Sequence, residues 1–169
     1  MNRPDFDTYL MSLCLVIAQR SIDPSTKHGA IAVDKEHSIL ATGYNSPPRG
    51  CYDKEIPLTR PEKYPYFLHA EEALICNAAR NGIGLRDATL YVSGYPCSSC
   101  MRKIINSGFR FVFYGPIGSN CVDSADREVS NQMLVYQGMQ VMPYKSDDCI
   151  LSLLSNTQDY LREKIKSNS

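Results

Sequence analysis

Three side chains of the kinds that bind zinc, and one carboxylate placed to move protons, stand out from the rest of this sequence. They fall in two short segments, His69-Ala70-Glu71 and Pro96-Cys97-Ser98-Ser99-Cys100. Zinc takes imidazole nitrogen and thiolate sulfur, and a structural site closes its tetrahedron with four protein ligands. His69, Cys97 and Cys100 supply three, which leaves one position open, as in a zinc site that does chemistry. An acidified water beside a carboxylate such as Glu71 is an apparatus for hydrolysis. Each feature taken singly has an ordinary structural reading. Cys-x-x-Cys also serves structural zinc and redox pairs, and a histidine at a helix start is often only hydrogen-bonded. A structural zinc ribbon, however, needs a fourth ligand and has no use for Glu71.

The elements around these segments have the means to bring them together. Phe6, Tyr9, Leu10, Leu13 and Ile17 repeat at helical spacing behind Asp5 and Asp7, which predicts a helix ending near Arg20. The runs 30–33 and 39–42 read as an antiparallel hairpin. Gly43 to Gly50, with two prolines and two glycines, reads as a loop at a strand end, where sites are commonly built. Residues 51–66, with Pro57, Pro61 and Pro65, continue irregularly, and a stretch that long is usually functional or disordered. Then helices are expected over 69–80, 98–106, 124–137 and within 147–166, and strands over 88–92, 110–114 and 139–142. Strand–helix alternation after the hairpin implies parallel strands, right-handed crossovers and helices on both sheet faces: an α/β protein of three layers, α/β/α. Both metal segments then open helices, whose N-termini favour thiolates and anions. If the two N-termini face each other, zinc sits between them.

Composition narrows the class. The 169 residues are read as one domain, 1–169, large enough for a single core. Hydrophobic content of 43% and charged content of 21% are those of ordinary globular proteins. Lys plus Arg equals Asp plus Glu, at 18 each, without the basic excess of a general nucleic-acid binder. No apolar run has membrane-spanning length, and the N-terminus lacks a signal-peptide core, so a soluble cytoplasmic protein is expected. Seven cysteines, an odd number, do not suggest a disulfide framework. Most of Cys14, Cys51, Cys76, Cys121 and Cys149 are expected to be small core residues in a reducing compartment.

His-x-Glu followed by Pro-Cys-x-x-Cys matches the signature of the zinc nucleobase deaminases. The match extends further. Ala18 to Pro24, Gly29-Ala30-Ile31, Gly43-Tyr44-Asn45, Pro48-Arg49-Gly50-Cys51, Lys63-Tyr64-Pro65-Tyr66, Leu90-Tyr91-Val92 and Ile104 to Gly108 resemble the deoxycytidylate (dCMP) deaminases of the cytidine-deaminase-like superfamily. The zinc motif points to the superfamily; the Gly-Tyr-Asn loop and the Lys-Tyr-Pro-Tyr insertion point to dCMP deaminases.

The resemblance implies a central mixed five-stranded sheet of the cytidine-deaminase-like fold, one catalytic Zn2+, and hydrolysis of dCMP to dUMP and ammonia for thymidylate synthesis. It implies a homo-oligomer, commonly a hexamer, with dCTP as activator and dTTP as inhibitor near the Gly-Tyr-Asn loop, where Arg49 and Gly50 are candidate effector contacts. Glu71 would act as base and then acid without ligating the metal. By matched position, Asn45 would hydrogen-bond the deoxyribose, Ser25, Thr26 and Lys27 would approach the phosphate, Lys63 would contact the sugar, and Ala70 would touch the substrate.

Physical reading adds that Lys27, Arg49 and Lys63 border the predicted site as candidate phosphate cations. Tyr66, or its neighbours Tyr64 and Phe67, could stack on the base. The chain departs from the family pattern in two places. A tyrosine that helps hold the phosphate after the strand ending at Tyr114 has no counterpart in Gly115 to Cys121, where Ser119, Asn120 or backbone amides would substitute; and Ala73 stands where family members often have Asn. A second, structural zinc through Cys14, His28, Cys51 or Cys76 is not expected, because their spacing matches poorly. Other readings are deamination of another cytosine nucleotide or nucleoside, of a base within nucleic acid, and a zinc module that only binds nucleotides.

Overall fold

β1 (Gly29–Val33) is buried along its whole length. A strand covered on both faces lies in the middle of a sheet with a layer on each side. In the computed structural model, which describes residues 3–51, 55–118 and 122–167, β1 pairs antiparallel with β2 (Ile39–Tyr44) on one side and with β3 (Thr89–Val92) on the other. β3 continues parallel to β4 (Phe111–Tyr114), and β4 parallel to β5 (Gln140–Pro143). The order is β2-β1-β3-β4-β5, a mixed five-stranded sheet as expected.

Strand alternation sorts the core into two halves. Ala30, Ala32, Leu90, Val92 and Val112 pack against Ala70, Leu74 and Ala78 of α2 (Ala70–Arg80) and against Cys100 and Ile104 of α3 (Ser98–Asn106). On the opposite face Ile31, Val33 and Tyr91 meet Leu10, Met11 and Cys14 of α1 (Phe6–Ala18), with Ile150 of α5 (Asp147–Ser167). α4 (Ser124–Gln137) lies beside α3 in the first layer.

Several expectations shift by a few residues, and one shift matters. β2 runs on through Gly43 and Tyr44, which the sequence reading assigned to loop; Tyr44 pairs with Gly29 of β1. A Cβ on Gly43 would lie 2.3 Å from the Ala70 carbonyl oxygen and 2.4 Å from the Leu74 nitrogen. Glycine is needed here because the strand backbone rests directly on the first turn of α2, the turn that carries Glu71. α1 ends at Ala18 rather than near Arg20.

The cysteine expectation is corrected too. Of the five outside the metal motif, Cys14 is core, its thiol donating to the Tyr91 carbonyl at 3.3 Å, whereas Cys51, Cys76 and Cys149 are exposed. Their helix or loop positions face outward, and Cys121 lies outside the described residues.

Candidate active site

His69 and Cys97 occupy equivalent positions. Each is the N-cap of its helix, His69 of α2 and Cys97 of α3, each in extended backbone conformation, and neither side chain makes a capping hydrogen bond. N-caps are ordinarily Ser, Thr, Asp or Asn, whose oxygens bond the first helical amides. A histidine and a cysteine there leave their donor atoms free to point elsewhere. They point at each other: His69 Nδ1 lies 3.5 Å from Cys97 Sγ and 3.4 Å from Cys100 Sγ.

The three donor atoms lie within 4.8 Å of one another, and among the described residues they are the group of this kind. A tetrahedral zinc with bonds of about 2.3 Å to sulfur and about 2.0 Å to nitrogen separates the two donors by about 3.5 Å. Both observed nitrogen–sulfur spacings fit zinc. Cys100 is buried, Cys97 half-buried and His69 exposed, so the group opens toward solvent on the histidine side.

Without a metal, protons take its place in the group. The hydrogen bond from Cys100 brings the Cys97 thiol down to about 4, with the His69 contact adding to it. The same Cys97–Cys100 contact pushes the Cys100 thiol up. His69 is raised to about 9, chiefly by the Cys97 sulfur. A thiolate held against an imidazolium is a charge arrangement that a divalent cation replaces, taking the place of the proton on His69.

Asp126, on the first turn of α4, supplies the cap that Cys97 does not. Its carboxylate accepts from the Ser98 amide at 2.8 Å and from the Ser98 hydroxyl at 2.5 Å. The Cys97–Cys100 turn is thereby tied to a neighbouring helix. These bonds hold the Asp126 carboxyl below its ordinary range. Nothing in the sequence flagged this residue; Asp126 and Ser98 are 28 positions apart.

Glu71 is 6% exposed, and burial raises its carboxyl above the usual range. It lines the same cavity, of about 670 Å³, as His69 and Cys97.

One wall of that cavity is a buried polar network. Asn45 Oδ1 accepts from the His28 amide at 2.7 Å, and Asn45 Nδ2 donates to Asp23 Oδ2 and to the Thr26 carbonyl. Only this orientation of the amide satisfies its neighbours, since His28 N can only donate. Asp23 also accepts from the Ser25 and Thr26 amides and from Lys63 Nζ at 2.5 Å. Burial alone would raise the Asp23 carboxyl; Lys63 and the amides reverse this and hold it below its ordinary value. His28 Nδ1 meets Ser93 Oγ at 3.1 Å, and burial lowers the pKa of the ring.

The residues singled out in the sequence divide accordingly. Thr26, Asn45, Lys63 and Ala70 line the cavity, whereas Ser25, Lys27 and Tyr66 are not among its lining residues. Tyr66 is displaced by its neighbours Tyr64 and Phe67, which do line it. Lys63 lines the cavity but is not a free cation for a phosphate: it is 2% exposed and its charge is matched by Asp23. Asn45 has spent both amide hydrogens on the protein, which leaves one lone pair on Oδ1 for a hydroxyl donor. Ser119 and Asn120 lie outside the described residues, and Gly118 and Val122 on either side line the cavity.

Sequence reading missed Asp23 and Tyr95 as wall residues, His28 except as a metal candidate, and Arg60. Only Asp23, in its Asp-Pro turn, gave a local signal.

Arg49 and Gly50 line a separate cavity of about 600 Å³ with Arg20, Asn77 and Arg80. Arg49 donates to Asn77 Oδ1 of α2 at 2.9 Å. Leu68 lines both cavities.

The family model of the cytidine and deoxycytidylate deaminase zinc-binding region matches residues 4–116. The chain belongs to this family. Both metal segments and the Asn45 network fall inside the matched region, so the deaminase zinc-binding region comprises the site just described. Deoxycytidylate deaminase of Pongo abelii is 35% identical over 65% of this chain and 64% of its own length. A probable deoxycytidylate deaminase of Drosophila melanogaster is 34% identical over 80% of this chain and 70% of its own. Among solved structures, the dCMP deaminase of cyanophage S-TIM5 in apo form superposes with a TM-score of 0.66 at 25% identity, covering 85% of this deaminase-family chain and 100% of the cyanophage one. The fold is that of the cytidine-deaminase-like proteins. The chain spans 64% of the length of the first curated relatives it matches.

Proposed function

We propose that this chain is a zinc-dependent deaminase converting dCMP to dUMP and ammonia, feeding dTMP synthesis. The reading rests on one observation above all: the His69–Cys97–Cys100 donor group and the buried Glu71 share one cavity at the N-termini of α2 and α3. The deoxycytidylate deaminase names of its relatives favour dCMP as the substrate. We read the whole chain as one domain with this single site.

His69, Cys97 and Cys100 hold the metal. Zinc bound there supplies the acidity that makes water a nucleophile near neutral pH. Glu71 takes a proton from the attacking water and protonates the ring nitrogen beside C4. A C4–O bond forms and the C4–N bond breaks. Glu71 then takes the second proton, from the new C4 hydroxyl, and gives it to the amine, which departs as ammonia as the carbonyl forms. Its raised pKa suits a carboxyl that must both accept and give up a proton in each turnover. Tyr64 and Phe67 offer apolar surface to the base, Ala70 adds a small contact beside it, and Asn45 Oδ1 can accept from a deoxyribose hydroxyl.

The second cavity is read as the effector site. Arg20, Arg49 and Arg80 give it three cations suited to a triphosphate, dCTP as activator or dTTP as inhibitor. Coupling would run through α2, whose first turn carries Glu71 and whose last turns face this cavity through Asn77 and Arg80. Exposed apolar side chains on α4 and α5, among them Val135, Tyr136, Leu151 and Ile165, support a homo-oligomer, with a hexamer as the reading. Among the described residues no helix is long and apolar enough to cross a membrane, and we read the protein as cytoplasmic.

Ammonia release from cytidine, CMP, dCMP, dCTP and a single-stranded oligonucleotide, with and without dCTP and dTTP as effectors, tests the proposal. Release from dCMP, tuned by the two triphosphates, is the expected result. Release only from dCTP, a nucleoside or the oligonucleotide would replace the substrate, and zinc binding without release from any would remove the activity.

A further inference from the structure

The cavity needs a positive charge for an anionic substrate, and most of its positive side chains are already committed. Lys63 is buried and neutralised by Asp23 at 2.5 Å. His69 is assigned to metal, and burial favours the neutral form of His28. Lys27 is exposed and outside the cavity lining. Arg127 lies over the Tyr95 ring at 4.3 Å, also outside the lining. Arg60 remains. It lines the cavity and is exposed, at the solvent side of the space whose buried side holds Glu71.

The segment that carries Arg60 is built to stay in place. The segment 55–67 is tied down at its end by the Ser46–Leu68 bridge, whose two hydrogen bonds are 3.2 and 2.9 Å. Within it, Lys63 N donates to the Thr59 carbonyl at 2.9 Å, forming a single helix-like turn over 59–63. The buried Lys63–Asp23 pair roots that turn in the cavity wall. Arg60 therefore sits on a turn anchored three residues further on by a side chain inside the protein. The acidic side chain of the same turn, Glu62, accepts from Thr59 Oγ1 at 3.2 Å and forms no ion pair with Arg60.

We propose that Arg60 is the specificity-determining residue of this cavity, holding the 5′-phosphate of the substrate. The inference rests on the proposed deamination of a cytosine nucleotide and deepens it. A guanidinium is charged at every working pH and its fork matches two phosphate oxygens at once.

The test compares dCMP with deoxycytidine, which differ only in the phosphate, on wild-type protein and on Arg60→Gln and Arg60→Lys. For Arg60→Gln, loss of a charge-assisted bidentate contact should raise KM for dCMP by roughly 10–100-fold with kcat little changed. The kcat/KM for deoxycytidine should stay within about twofold, and Arg60→Lys should recover part of the loss for dCMP.

Equal loss on both substrates, an unchanged KM for dCMP, or the selective loss in Lys27→Gln instead would overturn the assignment. Calorimetric titration of dCMP onto Glu71→Gln and Glu71→Gln/Arg60→Gln reads the subsite without turnover. Weaker dCMP binding in the double variant supports Arg60; equal binding refutes it. Failure of the wild-type protein to release ammonia from dCMP would remove the proposed reaction, while the titration still decides the role of Arg60.

Discussion

Lys63 Nζ lies 2.5 Å from Asp23 Oδ1, both side chains almost wholly buried, joining the turn over residues 59–63 to the turn that precedes β1. A loop lysine thereby becomes an internal strut of the cavity wall. Removing one partner leaves the other charge buried and alone, which costs about 3–5 kcal/mol. Asp23→Asn and Lys63→Ala should each lower unfolding free energy by about that amount, read by urea denaturation, and the double variant should lose less than the sum. Additive losses would show that the pair is not coupled.

The same pair sets an acid limit. The Asp23 carboxyl is held below its ordinary 3.8, so its contribution is fully present above that pH and is lost as pH falls through the lower folded value. The stability difference between wild type and Asp23→Asn should therefore be flat near neutrality and shrink below about pH 4. A difference that instead shrank on going from pH 5 to pH 8 would contradict this.

Glu71→Gln keeps the shape of the acid but not its proton chemistry. Zinc content should remain at the wild-type level while kcat falls by about 10²–10⁴-fold or more. Metal analysis and ammonia release on the same sample measure both. Loss of zinc together with activity would make Glu71 a ligand; near-normal turnover would remove it from the mechanism.

Asp126→Ala removes the carboxylate that caps α3 on behalf of Cys97. A lost cap costs about 0.5–2 kcal/mol. Because the cap fixes the turn bearing two metal ligands, zinc affinity should also fall, by about 10–100-fold, in competition with a chelator. Asp126→Asn can still accept from Ser98 and should retain more affinity. Unchanged zinc affinity in the alanine variant would reduce Asp126 to a helix cap.

Gly43→Ala places a methyl group within 2.4 Å of two backbone atoms of α2. Neither atom can move without shifting the turn that carries Glu71. Overpacking of this kind costs about 1–3 kcal/mol. We expect reduced thermal stability and reduced kcat together, in contrast to Arg60→Gln, which should alter KM alone. Wild-type stability and turnover would show that β2 and α2 can separate freely.

Much of the site was legible because its chemistry is local. Imidazole, thiolate and carboxylate donors are recognisable by type, and helix starts by proline, glycine and apolar spacing. That is why His69, Glu71, Cys97 and Cys100 and the α/β alternation could be read directly. Which loop side chains line the cavity is less legible: Tyr64 and Phe67 do, Tyr66 and Lys27 do not, and an irregular loop has no periodicity to say which side chains turn inward. Lys63 reads as a candidate phosphate cation because the partner that neutralises it lies 40 residues away.

The sequence by itself determined the donor set: which donors exist, that they open two helices, and that three ligands would leave a metal position open. The tertiary structure decided what surrounds that chemistry. The β3–α3–β4 crossover and the packing of Gly43 against α2 bring two helix starts, 28 residues apart, to within 3.5 Å. Folding also spends some polar groups on one another and leaves others to the cavity, pairing Lys63 with Asp23 and using both amide hydrogens of Asn45 while Arg60 stays at the mouth. Such allocation depends on which groups lose water together. Burial is a property of the packed chain, and residue types alone cannot specify it.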